Sequence, residues 1–221
     1  MVESKYNKFL TFLLIVIGIA ILGILGFLVV DYIGNYMNSK KAADFVEEFS
    51  SSFSTSSDES EVVESENVTV TESNEVAINN ANSGVSKKSY QGYSTVGTIK
   101  IPKINVSYPI LEEVSAKTLN LGVVVLYPYA EHINMEGNTV IIGHNYRNGM
   151  FFSNLKNLGV GDKITITDYR GKTINYKVYD KFEASSTDTS FYQRDTNGEP
   201  EITLSSCTDA SNDQRLIIFA K

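Results

Sequence analysis

Residues 9–30 form an unbroken apolar run that constrains this chain more than any other feature. The run, FLTFLLIVIGIAILGILGFLVV, has no charged side chain in 22 positions. At about 1.5 Å of rise per residue, a helix of this length spans about 33 Å, and the hydrocarbon core of a bilayer is about 30 Å thick. The run therefore predicts a transmembrane helix.

The residues that flank the run favour an uncleaved anchor over a signal peptide. The apolar region of a cleaved signal is about 7 to 15 residues long and precedes small residues, whereas Asp31 and Tyr32 follow here. Lys5 and Lys8 precede the helix. The positive-inside rule then places residues 1–8 in the cytoplasm and the chain beyond the helix outside the cell.

Residues 31–89 differ in composition from the segments on both sides. Residues 42–86 contain ten carboxylates and no Lys or Arg, and residues 50–89 are rich in Ser, Glu, Asn and Thr. Such a composition buries too little apolar area to offset the entropy of folding. We expect a juxtamembrane helix followed by an acidic, disordered tether that holds a folded domain, residues 90–221, off the membrane. The helix is indicated by apolar residues at helical spacing: Ala42, Phe45, Val46, Phe49 and Phe53.

From residue 87 onward the chain has the charge balance of an ordinary globular domain. It has 15 Lys and Arg against 14 Asp and Glu, so the formal net charge of −7 arises before it. The lack of a basic cluster argues against nucleic acid as a partner. The single Cys excludes a disulfide framework and a Cys-rich metal site.

The same part of the chain is predicted to be all-β. Short β-type runs are separated by Gly, Pro, Asn and Asp, which is typical of a barrel or a sandwich. Two segments between them have helical signals, residues 115–120 with Ser115 as a possible N-cap and residues 150–158. The eight predicted strands are residues 97–101, 106–111, 122–126, 139–143, 163–168, 173–182, 201–206 and 215–220.

Cys207 and His144 each follow a predicted strand and precede a polar loop. A thiol at such a place can meet a substrate, and an unpaired thiol outside the cell is a liability unless it is used. A buried structural Cys and a solvated loop histidine are the alternatives. His132 lies before the turn at Gly137 and is interpreted as a solvated residue.

Four segments of this chain resemble the sortase family of Gram-positive bacteria. They are Thr203-Leu-Ser-Ser-Cys207, Arg215 eight residues later, Val140-Ile-Ile-Gly-His144-Asn, and the opening run VGTIKIPKI over residues 96–104. The resemblance covers about residues 90–221. It implies a membrane-tethered cysteine transpeptidase on an eight-stranded β-barrel, which is the strand number already reached from the pattern.

The sequence departs from the family pattern at two places, and the second of them leaves the subclass open. Ser206 stands where the family usually has Thr before the catalytic Cys. The loop Gly-His-Asn-Tyr-Arg-Asn-Gly149 is similar to class B, whereas the short stretch 183–200 lacks the long helix of class B and is closer to A- or D-like forms.

The resemblance also implies roles for particular residues. It makes Cys207 the nucleophile, His144 the acid and base, and Arg215 the clamp for substrate and oxyanion. A strand-face salt bridge is the alternative for Arg215, and the rival arginines are Arg147, Arg170 and Arg194. Residues expected to contact the substrate are Ser206, Thr208 and Asn145.

The implied activity is cleavage of a C-terminal sorting motif in secreted proteins through a thioacyl intermediate, and attachment of these proteins to a peptidoglycan amine. There are two alternatives. One is a pilin-polymerising sortase with a protein Lys as acceptor, and the other is a non-enzymatic tethered β-barrel that binds a partner. The chemistry requires no metal or other cofactor. Calcium modulates the activity of some sortases. The loop carboxylates that raise the question of calcium binding here are Glu112, Glu113, Glu183 and Asp188.

Overall fold

A computed structural model describes residues 2–54, 86–126 and 132–221 of the chain. A single helix, α1, runs over Val2–Ser54, and its part from Phe9 onward is long and apolar enough to cross a membrane. The residues of the predicted juxtamembrane helix form the last part of α1. No proline interrupts residues 2–54. Two compact units are present, Met1–Lys41 and Ala42–Lys221. Residues 55–85 of the predicted tether lie outside the described residues.

The second unit contains nine strands within the part of the chain just defined. Eight of them correspond to the predicted strands, with ends that differ by up to four residues, and the two-residue β1 was not predicted. The strands are β1 (Ser89–Tyr90), β2 (Tyr93–Ile101), β3 (Val106–Leu111), β4 (Val123–Leu126), β5 (Gly137–Ile142), β6 (Lys163–Asp168), β7 (Thr173–Ser185), β8 (Pro200–Cys207) and β9 (Gln214–Ala220).

These strands close into a barrel, which confirms the predicted fold class. The strand order is β1-β2-β3-β4-β5-β8-β9-β7-β6, and β2 also pairs with β6, so strands β2 to β9 form a continuous ring. The β3–β4 and β5–β8 pairs are parallel and the others are antiparallel. The parallel β5–β8 pair places the carboxyl ends of these two strands at the same edge of the barrel.

One of the two predicted helical segments forms an α-helix. Helix α2 covers Ala116–Leu119, and Ser115 caps it by accepting a hydrogen bond from the Thr118 backbone N–H at 3.2 Å. Residues 150–158 instead form turns and a 3-10 helix over Leu155–Asn157. Phe151 has a φ of 49°, which an α-helix does not accommodate. The apolar residues of this segment are nevertheless buried in the core.

The last part of α1 packs against the barrel. The ring of Phe45 lies 5.0 Å from that of Tyr90, and Phe53 packs on Gly171 in the turn between β6 and β7. Three residues on this face of α1 are fully buried: Ala42, Val46 and Phe49. The end of α1 thus packs on the barrel, whereas the sequence predicted a juxtamembrane helix connected to the domain only through the tether.

Both faces of β8 are covered. Its inward residues belong to the core, and its outward residues lie under the β7–β8 connection, residues 186–199. The Tyr192 hydroxyl donates to Oγ of Ser205 at 3.1 Å, and Nη1 of Arg194 donates to Oγ1 of Thr203 at 2.6 Å. The strand that ends at Cys207 is thus held by apolar packing on one face and by hydrogen bonds on the other.

Candidate active site

Cys207 and His144 lie at the same edge of the barrel. Cys207 is the last residue of β8, and the register of the β5–β8 pair ends two residues before each of them. The backbone N–H of Gly143 donates to the Ser205 carbonyl at 3.2 Å, and the side-chain amide of Asn145 donates to the Cys207 carbonyl at 3.0 Å. The loop that carries His144 is therefore bonded to β8 on both sides of the histidine.

Strand β9 brings Arg215 next to the thiol. Cys207 and Arg215 are direct partners in the antiparallel β8–β9 pair, and such partners project from the same face of a sheet. Nη1 of Arg215 is 3.4 Å from Sγ of Cys207. The Cys207 side chain is partly exposed, whereas the structural-cysteine alternative required a buried one.

The imidazole of His144 is stacked on the ring of Tyr146, with the ring centroids 4.7 Å apart and the planes 27° from parallel. Burial lowers the pKa of His144 below its ordinary value. The lowered pKa favours the neutral imidazole, and Arg215 is the cation beside the sulfur.

Asp209 connects the two loops of the site. Its Oδ1 accepts a hydrogen bond from Asn145 at 2.8 Å, and its Oδ2 pairs with the ammonium of Lys156. The hydrogen bond from Lys156 lowers the pKa of Asp209, so the carboxylate stays charged at neutral pH. Nε of Arg147 donates to the Asp209 carbonyl at 2.9 Å, and its Nη2 donates to the Thr208 carbonyl at 3.3 Å. These contacts fix the loop that follows β8.

The three residues predicted to contact substrate all lie beside Cys207 in the fold. Ser206 is buried, and its hydroxyl has no hydrogen-bond partner within residues 86–126 and 132–221. Thr208 is also buried, and its hydroxyl donates to the Ser211 carbonyl at 3.0 Å. Asn145 and Thr208 thus stabilise the loops next to the thiol, and contact of the three residues with a substrate stays a prediction.

The rival arginines have other partners. Nη2 of Arg194 is 2.7 Å from a Glu201 carboxylate oxygen, and its guanidinium lies 3.9 Å from the centroid of the Phe219 ring. Arg170 lies in the turn between β6 and β7. Within the described part of the chain, Arg215 is the arginine whose N–H reaches Sγ.

His132 and His144 are separated by the length of strand β5. His132 precedes Gly137, the first residue of the strand, and His144 follows its last residue. The ring of His132 lies 6.1 Å from the ring of Tyr169, next to the β6–β7 turn. The structure thus brings one of the two histidines to the edge that carries Cys207.

A cavity of about 350 Å³ opens beside Cys207. Phe152 and Leu216 contribute apolar surface, and Lys156, Lys181, Glu183 and Asp209 contribute charged groups. Cavities of about 300 to 1,000 Å³ hold small-molecule ligands in other proteins. The thiol therefore faces a space that admits part of a substrate.

The loop carboxylates that raised the question of calcium do not form a cluster. No group of three or more His, Cys, Asp or Glu side chains in the described ranges is arranged to hold a metal ion. Glu112 pairs with Lys87 at 2.6 Å, and Asp188 accepts a hydrogen bond from the Ser190 hydroxyl at 2.7 Å. The expectation that the chemistry needs no cofactor stays a prediction.

A family model, described as a sortase domain, matches residues 99–221. The chain belongs to the sortase family. The matched range includes His144, Cys207 and Arg215. The predicted family is thereby confirmed for more than half of the chain.

Individual sortases from several bacteria are similar to this chain. Sortase A of Bacillus anthracis is 27% identical over 141 residues, which are 63% of this chain and 62% of that protein, so less than two thirds of the relative is spanned. The structure of sortase A from Corynebacterium diphtheriae matches with a TM-score of 0.52 and 30% identity over 58% of this chain and 60% of that one. A Clostridium perfringens sortase D5 transpeptidase matches with a TM-score of 0.52 and 29% identity over 58% of this chain and 78% of that one. These relatives carry different class letters, so the subclass stays open.

Two residues of the site were missed by sequence reasoning. Tyr146 contacts the ring of His144, and Asp209 joins the loops that follow β5 and β8. The only local signal was an aromatic residue two positions after the histidine, where extended backbone places alternate side chains on one side. For Asp209 the sequence carries no local signal, because its partners are more than 50 positions away in the chain.

Proposed function

We propose that this sortase is a cysteine transpeptidase that cleaves a C-terminal sorting motif in secreted proteins and joins the new carboxyl end to an amine of the cell-wall peptidoglycan. One observation carries the proposal: Nη1 of Arg215 lies 3.4 Å from Sγ of Cys207, at the edge of the barrel where His144 follows β5. A thiol, a neutral base and a fixed cation are the groups that acyl transfer by a cysteine requires.

The first half-reaction forms a thioester. The neutral imidazole of His144 accepts the proton of the Cys207 thiol while the sulfur attacks the scissile carbonyl. The oxygen of the tetrahedral intermediate accepts hydrogen bonds from the guanidinium of Arg215, whose forked donors keep their charge at any working pH. His144, now protonated, gives its proton to the departing amine, and the carbon–nitrogen bond breaks.

The second half-reaction transfers the acyl group. The incoming amine attacks the thioester carbon and gives a proton to His144, and the sulfur of Cys207 leaves. A new amide bond replaces the thioester, and Cys207 recovers its proton from His144. Attack by water in place of the amine would give hydrolysis, so the rate of amine entry decides the product.

We also propose a membrane topology for the chain. Residues 9–30 cross the cell membrane, residues 1–8 lie in the cytoplasm, and the catalytic barrel, residues 90–221, lies outside. Support comes from the apolar part of α1 and from Lys5 and Lys8 before it. The partners are then secreted proteins with a sorting motif and a peptidoglycan precursor or cross-bridge amine. No cofactor is needed, because the protein's own side chains supply the nucleophile, the proton transfer and the charge.

The test is digestion of a peptide library by the full-length protein in detergent, with mass spectrometry of the products. We expect cleavage within one short motif, and hydroxylamine should convert the amino-terminal product to a hydroxamate, because it intercepts a thioester. Transfer to a Lys-bearing pilin-type peptide in preference to peptidoglycan amines would favour the pilin-polymerising alternative. Lack of cleavage, together with a Cys207 that iodoacetamide does not modify in the folded protein, would favour the binding module.

A further inference from the structure

The ring of His144 is stacked on the ring of Tyr146. Within residues 86–126 and 132–221, neither ring nitrogen has a hydrogen-bond partner, and the ring is partly buried. A catalytic histidine usually has its ring orientation fixed by a hydrogen bond to the nitrogen that does not react. Here the stacked ring of Tyr146, 4.7 Å away, is the contact available to hold the imidazole.

Tyr146 is itself held from several sides. Its hydroxyl donates to Oδ1 of Asn120, the residue that follows helix α2, and its backbone N–H donates to Oγ of Ser153 at 3.1 Å. Its ring meets the edge of the Phe151 ring, with centroids 5.8 Å apart. The residue is nonetheless 45% exposed. Because Tyr146 is half-exposed, core packing does not account for these contacts.

We propose that Tyr146 is the positioning residue for His144, and this inference rests on the proposed function. The stacked ring limits rotation of the imidazole, so that the same nitrogen faces Cys207 when it accepts the thiol proton and faces the leaving amine when it returns it. Aromatic pairs prefer offset stacking at such distances. The contact thus replaces the hydrogen bond that orients a catalytic histidine in other sites.

The hydroxyl and the ring of Tyr146 have separable roles. Tyr146→Phe keeps the stacked ring and loses the bond to Asn120, whereas Tyr146→Leu keeps apolar bulk and loses the stacking. Since small misplacement of a catalytic group costs up to about 100-fold, we expect kcat of the Leu variant to fall by about 10- to 100-fold with KM within about threefold. The Phe variant should stay within about threefold of wild type in both constants.

The matched control is the tyrosine–histidine contact beside the β6–β7 turn. Tyr169 lies beside His132, with ring centroids 6.1 Å apart, and Tyr169→Leu should leave kcat unchanged. Thermal unfolding and the rate of iodoacetamide labelling of Cys207 are measured for every variant, because a loss of kcat with both of these intact does not arise from unfolding. If Tyr146→Leu does not fold, Tyr146→Gln provides a second variant at this half-exposed position.

A double-mutant cycle separates this inference from the proposed function. Tyr146→Leu should cost nothing further in a His144→Ala background, because it acts only through that ring. Overturning results are a Leu variant with wild-type kcat, a change confined to KM, which would make Tyr146 a substrate contact, or a Phe variant as slow as the Leu variant. If His144→Ala itself retains wild-type turnover, the acid–base role of His144 in the proposed function fails, whatever Tyr146 does.

Discussion

Cys207 and Arg215 face each other as a directly paired couple across β8 and β9, with Nη1 3.4 Å from Sγ. Their pairing continues a register that starts at Ile202 and Ala220 and runs through the core. Nη1 also donates to the carbonyls of Asn212 and Gln214, so the two packed strands and the loop before β9 together hold the guanidinium. The cation is built into the sheet that carries the nucleophile.

Arg215→Lys tests whether the site needs a fork of donors or only a positive charge. Lys keeps the charge but cannot form two parallel hydrogen bonds to an oxyanion. Loss of one such donor costs about 3 kcal/mol, or roughly 100-fold in turnover. The measurement is turnover of a fluorogenic sorting peptide, with Arg170→Lys in the exposed turn as the matched control.

A Lys variant within about threefold of wild type would reduce Arg215 to a background charge. Arg147 would then be the next candidate for the clamp, because its guanidinium already reaches the carbonyls of Thr208 and Asp209.

Cys207→Ala should abolish both peptide cleavage and hydroxylamine-dependent transfer. The chain has one Cys, so no other thiol can form the thioester. Both activities are measured in parallel with thermal unfolding. Turnover above a few per cent of wild type in a folded variant would rule out Cys207 as the nucleophile.

The two histidines provide a comparison within one protein. His144→Ala should lower turnover by about 100-fold or more, the usual contribution of a general acid–base group. His132→Ala should leave turnover within about threefold, because His132 lies at the opposite end of β5. Steady-state kinetics on one peptide decide the order, and the reverse order would mean that the wrong histidine was assigned.

The strands and the capped helix were predictable because their signals are local. Alternation of apolar residues and turn residues located all eight barrel strands, and Ser115 marked the start of α2. Residues 150–158 show where local signals fail. Their apolar spacing correctly indicated burial, but the backbone N–H of Phe151 donates to the Tyr108 hydroxyl at 3.2 Å, 43 positions away, and the φ of 49° at Phe151 breaks the helix.

The candidate site likewise has residues that local sequence signals located and contacts that they did not indicate. The predicted strand ends located Cys207 and His144. The residue paired with Cys207 depends on the register of β9, and only the family resemblance pointed to Arg215. The stacking of Tyr146 on His144 depends on how a loop folds after its strand. The lowered pKa of His144 follows from burial of its ring, for which the sequence has no local signal.

The pH dependence of the reaction follows from the lowered pKa of His144. Burial disfavours the imidazolium, so protonation requires a pH below the ordinary titration range. If neutral His144 is the base, kcat/KM rises with pH through this pKa, and the acid limb should have its midpoint below about 6.5. Activity is then retained at mildly acidic pH and lost only as pH falls further.

The same pKa can be measured directly. His132→Gln leaves His144 as the one histidine of the chain, so the imidazole proton resonance of this variant reports His144 alone. Its titration midpoint should agree with the acid limb of the activity profile. A midpoint above about 6.5 in both measurements would contradict burial as the dominant influence on this ring.

The docked end of α1 should contribute to the stability of the barrel. Phe49 is fully buried, its ring lies 5.3 Å from the Phe53 ring, and Nζ of Lys88 lies 5.8 Å from its centroid. Replacing a buried Phe by Ala costs about 3 to 5 kcal/mol. Phe49→Ala should therefore lower the free energy of unfolding of the barrel, measured by urea denaturation of the full chain in detergent. Glu48→Ala, at an exposed position of the same helix, should change it by less than about 0.5 kcal/mol. Equal unfolding curves for the two variants would mean that the helix does not stabilise the barrel, and that the strands alone account for the full stability of the domain.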